Sequence, residues 1–185
     1  SSPKLPAESV ALLDQAREEI SHALRSGSAS DPRLVEALAS RLASIRVDIP
    51  EQLRLMLDAV RFFYLSGHAF TGLPIAQQAR SLASESANQA ATFDSLLLVG
   101  VCAADTGGLP TAMEAYADAL RLAQAAGDPF REGRVWQNLG VALMYAGLYS
   151  EAINCFECVI AKAEHEPKLA AATGLTTGAV TGLID

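Results

Sequence analysis

Long apolar runs are missing from this chain. No stretch approaches the roughly 20 residues that span a bilayer, and no charged, apolar and small-residue succession of secretory type opens it. A membrane partner is therefore not expected. Basic residues are also in short supply: 14 Lys and Arg stand against 21 Asp and Glu, for a formal charge of −7. Phosphate backbones are held by clustered Lys and Arg, so this balance argues against a nucleic-acid surface and disfavours an anionic lipid face. Only three cysteines occur, an odd number that makes no disulfide framework and fits a reducing, cytoplasmic setting. Aromatics are scarce at 6% while half the residues are apolar and Ala is abundant. That profile suits close-packed helices better than a sandwich or barrel. Gly and Pro, 13 and 8 of 185 residues, are few enough to act as punctuation.

What is present is helical periodicity. Val10, Leu13, Ala16, Ile20 and Leu24 recur every three or four residues, and Gly27 closes that segment. Asp31-Pro32 is an N-cap followed by proline at the first helical position. Leu34, Leu38, Leu42 and Ile45 then trace a second helix, which Pro50 is expected to end. A third helix over 51–66 turns Leu53, Leu57, Val60 and Phe63 inward. Residues 67–72 read as punctuation, with Pro74 opening a fourth helix through Ala76, Ala79 and Leu82. Beyond Asn88 the pattern becomes regular, with helices over 91–105, 110–126, 129–146 and 149–164. Ala126-Gly127-Asp128-Pro129 combines a helix-ending glycine, an N-cap aspartate and an N1 proline in four residues. Such short connections force neighbouring helices to pack antiparallel.

Two of these segments repeat forty residues apart. One reads Trp136-x2-Leu139-Gly140-x2-Leu143…Gly147-x-Tyr149-x2-Ala152-x3-Phe156. The other reads Leu96-x2-Val99-Gly100-x2-Ala103…Gly107-x-Leu109-x2-Ala112-x3-Tyr116-x2-Ala119. Self-similarity at a fixed period is the mark of stacked supersecondary units. Gly100 and Gly140 permit close approach of the second helix, Ala112 and Ala152 supply its small surface, and Trp136, Phe156 and Tyr116 fill the space between helices. A degenerate third copy can be laid on Val60, Phe63, Leu73, Ala76 and Ala83, with Tyr64 standing in place of the close-packing glycine.

These residues resemble the tetratricopeptide repeat family. The resemblance covers about 51–167 and implies an all-α fold, a right-handed α-α superhelix of antiparallel helix pairs. It divides the chain into an N-terminal capping pair (1–50), repeats over 51–88, 91–127 and 129–167, and a segment 168–185 expected to be the start of a further repeat or a C-terminal helix, cut short. The forty-residue period is similar to the extended repeats of bacterial signalling proteins. In that group such arrays often precede an output domain, for example a diguanylate cyclase or a DNA-binding domain. The implied role is a non-catalytic scaffold module of a larger regulatory protein, with a protein or peptide held in the concave groove. The alternative is a sensory or homodimerising segment that controls an output domain. Carried over from the family, groove positions fall on Arg134, Gln137, Asn138, Val141 and Tyr145, then Asp94, Leu97, Leu98, Val101 and Asp105. In the degenerate copy they fall on Asp58, Arg61, Phe62, Leu65 and His68. Leu97 and Val101 stand where some members carry polar clamp residues for a terminal carboxylate, so that clamp is not expected. Asn138 is the position whose amide can donate to and accept from an extended backbone.

No catalytic, cofactor or metal site is expected. Cys155-x2-Cys158 lies within a helix, and His165 is ten residues from Cys155, about 15 Å along the axis. One zinc ion needs every ligand within about 2.3 Å, so these three cannot share it. His22, His68 and His165 have no neighbouring nucleophile, the carboxylates are dispersed, and Gly107-Gly108 lacks the lysine of a phosphate loop. Gly174, Gly178 and Gly182 recur every four residues on a bare stripe, which is expected to pack on the preceding pair or on another subunit.

Overall fold

A computed structural model describes residues 7–29 and 31–173. Among them the regular elements are all helices: α1 (Ala7–Ser26), α2 (Pro32–Leu42), α3 (Ile49–Leu65), α4 (Ala69–Glu85), α5 (Gln89–Asp105), α6 (Leu109–Ala125), α7 (Pro129–Tyr145), α8 (Tyr149–Ala163) and α9 (Pro167–Thr173). From α3 the spacing is strict. Helices α3 to α8 begin at residues 49, 69, 89, 109, 129 and 149. Each helix from α3 to α7 is 17 residues long.

One local device produces this regularity. After each helix from α3 to α7 a residue enters the left-handed region: Gly67 at φ +76°, Ala87 at +53°, Gly107 at +81°, Gly127 at +60° and Gly147 at +79°. Its N–H, and that of the residue after it, turn back onto the last helical turn. Gly67 N–H donates to the Tyr64 carbonyl at 3.0 Å, and His68 N–H to the Phe63 carbonyl at 2.7 Å. The same pair of bonds recurs at Asn88, Gly108, Asp128 and Leu148. This is the Schellman closure of a helix. The second residue of each closure is also the N-cap of the next helix. Asn88 and Asp128 perform that second task with their side chains, accepting from Ala91 N–H at 3.0 Å and Arg131 N–H at 2.9 Å.

The helices pack as an α-α solenoid, each on its neighbours in sequence. The backbones of the first helices of successive pairs also lie close along the stack (α1 on α3, α3 on α5, α5 on α7, α7 on α9), as do those of α2 and α4. By contrast, α4 and α6 are spaced more widely and meet through the Arg80–Asp118 ion pair at 2.8 Å, and the backbones of α6 and α8 stay apart. The stack therefore curves, with the first helices on its inner face.

Because one pair spans forty residues, positions forty apart share an environment. Gly100 faces Tyr116, and a methyl group added there would lie 2.3 Å from the ring. Gly140 faces Phe156, where the same methyl would lie 2.8 Å away. Counting back forty from this second pairing through the first places Val60 opposite Ala76, both fully buried. The degenerate copy thus keeps the register but exchanges the large and small partners. Val60, not Tyr64, occupies the glycine position. Gly72 lies inside α4, where a methyl group added to it would meet Cys102, Phe63 and Val60 at 3.5 Å, an ordinary contact.

Two prolines differ from expectation. Pro50 does not end α2 but stands in the first turn of α3 behind the N-cap Asp48. Helix α2 stops earlier, at Leu42, because a buried side chain ends it: Gln52 donates to the Leu42 carbonyl at 2.8 Å and the Ile45 carbonyl at 2.9 Å, and accepts from Val47 N–H at 3.0 Å. Pro74 does not open α4, which has begun at Ala69. The ring lies on the exposed side of the helix interior, where a missing N–H faces solvent rather than core. Gly174, Gly178 and Gly182 lie outside the described residues.

Two stability measurements test these packing and junction assignments. Ala87 is the one non-glycine residue with positive φ among those described, and a side chain in that region costs roughly 1–2 kcal/mol. Ala87→Gly is expected to raise stability in urea by about 0.5–1 kcal/mol after the added unfolded-state freedom of glycine. Gly100→Val alone should destabilise by about 2–3 kcal/mol through overpacking against Tyr116. Combined with Tyr116→Ala, which copies the Val60–Ala76 arrangement, it should couple favourably by at least about 1 kcal/mol. Strict additivity would reject the exchange of partners.

Candidate functional site

The inner face carries two distinct surfaces. The first is a chain of charges across α1, α3, α5 and α7. Arg17 pairs with Asp14 at 2.7 Å and with Glu51 at 3.0 Å. Arg54 pairs with Glu51 at 2.7 Å and Asp58 at 2.9 Å, and Arg61 reaches Asp58 at 2.8 Å and Asp94 at 3.9 Å. Arg134 closes the row at 4.0 Å from Asp94, with its guanidinium 6.0 Å over the Phe130 ring. The alternation comes from the repeat, since Asp14, Arg54, Asp94 and Arg134 stand forty residues apart at one helical position. Glu51 is held between two arginines. The hydrogen bond from Arg54, with that from Arg17, brings its carboxyl from 4.5 down to about 2 despite the opposing effect of partial burial.

The second surface is a cleft of about 340 Å³ at the C-terminal ends of α3, α5 and α7. Tyr64 comes from α3, Val101, Ala104 and Asp105 from α5, and Asn138, Val141, Ala142 and Tyr145 from α7. Tyr116 of α6 forms the floor. Its ring reaches that position because Gly100 has no side chain to block it. Ala104 and Ala142 leave the space open, and Tyr64 and Tyr145 flank it. Tyr145 is 84% exposed, a large aromatic surface left in water. The Tyr64 hydroxyl is pushed above its ordinary value by burial, with the Asp105 carboxylate adding to the effect.

Of the groove positions expected from the sequence, Val101, Asp105, Asn138, Val141 and Tyr145 meet in this cleft. Arg61 and Arg134 belong to the ionic row. Leu65 is exposed beyond the cleft and Gln137 is half-buried. Leu97 and Phe62 are not on the groove surface, since each is only 4% exposed. Both belong to the buried core, Phe62 at the helical position that Cys102 holds in the next unit. Asn138 donates to the Arg134 carbonyl at 2.8 Å, so one amide hydrogen is committed within its helix. Sequence reasoning missed Tyr64, Ala104, Tyr116 and Ala142. Counting by forty from Gly27, Gly67, Gly107 and Gly147 would have aligned Tyr64 with Ala104.

Of the remaining candidate groups, Cys102 and Cys155 are buried, Cys158 is half-buried, and His22, His68 and His165 are exposed. The Cys102 thiol is buried and pushed up to about 12, and burial also raises that of Cys155. Among the described residues no three His, Cys, Asp or Glu side chains gather as a metal site, and no helix is long and apolar enough to cross a membrane. No family model and no curated protein matches the sequence.

The Glu51 pairing gives a pH test. Its carboxyl is lowered in the folded state, so its stabilisation is complete above the ordinary value of 4.5 and is lost as pH falls toward about 2. The melting temperature of the wild type should exceed that of Glu51→Gln at pH 7, and the gap should narrow below pH 4.5 and close as the pH reaches about 2. A gap that persists unchanged in acid would show that the ion pairs do not act through Glu51.

Proposed function

We propose that this chain is a non-catalytic binding module of tetratricopeptide type that holds an extended segment of a partner protein along its inner face. The cleft on three successive first helices carries this reading. Side chains forty residues apart converge there, and one wall, Tyr145, is almost wholly in water. An exposed aromatic flanking a concave, mostly apolar surface is the composition from which protein interfaces draw their affinity. The cleft lies at the small end of the roughly 300–1,000 Å³ range of ligand pockets, a size that suits one inserted side chain. The forty-residue period supports placement within a larger regulatory protein.

Panning a random peptide library against the folded chain tests the reading. Enriched peptides should compete with one another and lose at least about tenfold in affinity against Val141→Glu. Against Arg121→Ala, on the outer face, they should bind as to the wild type. Failure to enrich any peptide, or peptides indifferent to Val141→Glu, would overturn it.

A further inference from the structure

The charges of the inner face separate its two surfaces. In the ionic row every acid has an arginine: Asp14, Glu51, Asp58 and Asp94 alternate with Arg17, Arg54, Arg61 and Arg134. The row is neutral as a whole. Asp105 is different. Its carboxylate is exposed. Among the described residues it pairs with no cation, and it is the only charged one lining the cleft. At the same helical position in the units on either side stand Leu65 and Tyr145, both strongly exposed. A lone carboxylate is thus set among aromatic rings and aliphatic side chains, with the Tyr116 ring beneath.

We propose that this cleft takes an arginine or lysine side chain of the partner segment. This assignment rests on the peptide-binding reading and adds the chemistry of the inserted group. A cationic side chain has two parts, an aliphatic stem and a charged head. Val101, Val141 and the small Ala104 and Ala142 accommodate the stem. Asp105 accepts hydrogen bonds from the head, and the faces of Tyr64 and Tyr145 attract the same positive charge through their ring quadrupoles. Arginine satisfies the set best, because its planar guanidinium can bond a carboxylate while stacking on an aromatic ring. An anionic group would meet Asp105 unopposed. A purely apolar one would bury that carboxylate without a partner, which is unfavourable. The overall charge of −7 draws cationic segments from a distance.

The probe is the blocked pentapeptide Ala-Ala-Arg-Ala-Ala. Its control carries citrulline, which keeps the shape of arginine and removes its charge. In ¹H–¹⁵N spectra of the full chain, the arginine peptide should shift the amides around Tyr64, Asp105 and Tyr145, and citrulline should bind about tenfold more weakly. Asp105→Asn, a change at an exposed position, should weaken the arginine peptide by a similar factor with an unchanged melting temperature. Tyr145→Ala should weaken it severalfold. Equal binding of citrulline, indifference to Asp105→Asn, or no shift at these amides with peptide at about 5 mM would each overturn the proposal. Library peptides that depend on Val141 but carry no enriched cation would overturn the cationic side chain and leave the groove standing. Absence of any enriched peptide would remove the groove reading itself.

Discussion

The structure depends on one constraint: the residue that closes each helix is followed at once by the residue that caps the next. Because one residue supplies both the last N–H of a Schellman closure and the cap of the next helix, the junction has no slack. Helix length is then the only adjustable quantity, and it stays at 17 residues through five consecutive helices. Adding one residue to any of them would rotate the next helix in the stack by about 100°. The rows on the inner face would then no longer align. The ionic row and the cleft are therefore products of the junction before they are products of their own side chains.

Within that frame, the interior preserves volume rather than residue type. Gly100 with Tyr116, Gly140 with Phe156, and Val60 with Ala76 fill one place in three ways. Two of them assign the bulk to the second helix, and one divides it between the helices with the larger group on the first. A core tolerates such exchange when total volume is kept. This explains why the motif fades toward the N-terminus while the backbone period does not. At the other end, a methyl on Gly133 would lie 2.1 Å from Leu169. Helix α9 is thus seated on α7 by the same device of a missing side chain.

Much of the fold was legible in the sequence, because its cues are local. Gly127-Asp128-Pro129 states the end of one helix and the start of the next without reference to anything distant. Ala87 was not legible as a junction, since alanine normally avoids the left-handed region and its neighbour Asn88 was the visible signal. Pro50 and Pro74 misled for a related reason. Proline reports a missing N–H, and whether that matters depends on position in a helix already begun elsewhere. Gln52 could not be foreseen at all, because its three partners, Leu42, Ile45 and Val47, are brought to it by the packing of α2 on α3. The cleft was half legible. Val101, Asp105, Asn138, Val141 and Tyr145 were expected from the resemblance to tetratricopeptide repeats, which places groove positions on the first helices. Tyr116 enters from a second helix, and only because Gly100 lets its ring through.

The contrast between the two inner surfaces is a matter of screening. Exposed ion pairs contribute about 0–1 kcal/mol each, so the row from Asp14 to Arg134 adds little to stability, and its alternating charges cancel within a Debye length of about 8 Å. Along most of its length the inner face is a neutral, hydrogen-bonding surface with little preference for either sign. The cleft breaks that neutrality at one point. Asp105 has the same helical position as Leu65 and Tyr145, so a charge appears where the neighbouring units present hydrocarbon and an aromatic ring. In that setting no neighbouring counter-charge cancels the field of the carboxylate. On the binding reading proposed above, one acidic residue in an apolar row would therefore do more to select a partner than four pairs in a neutral one.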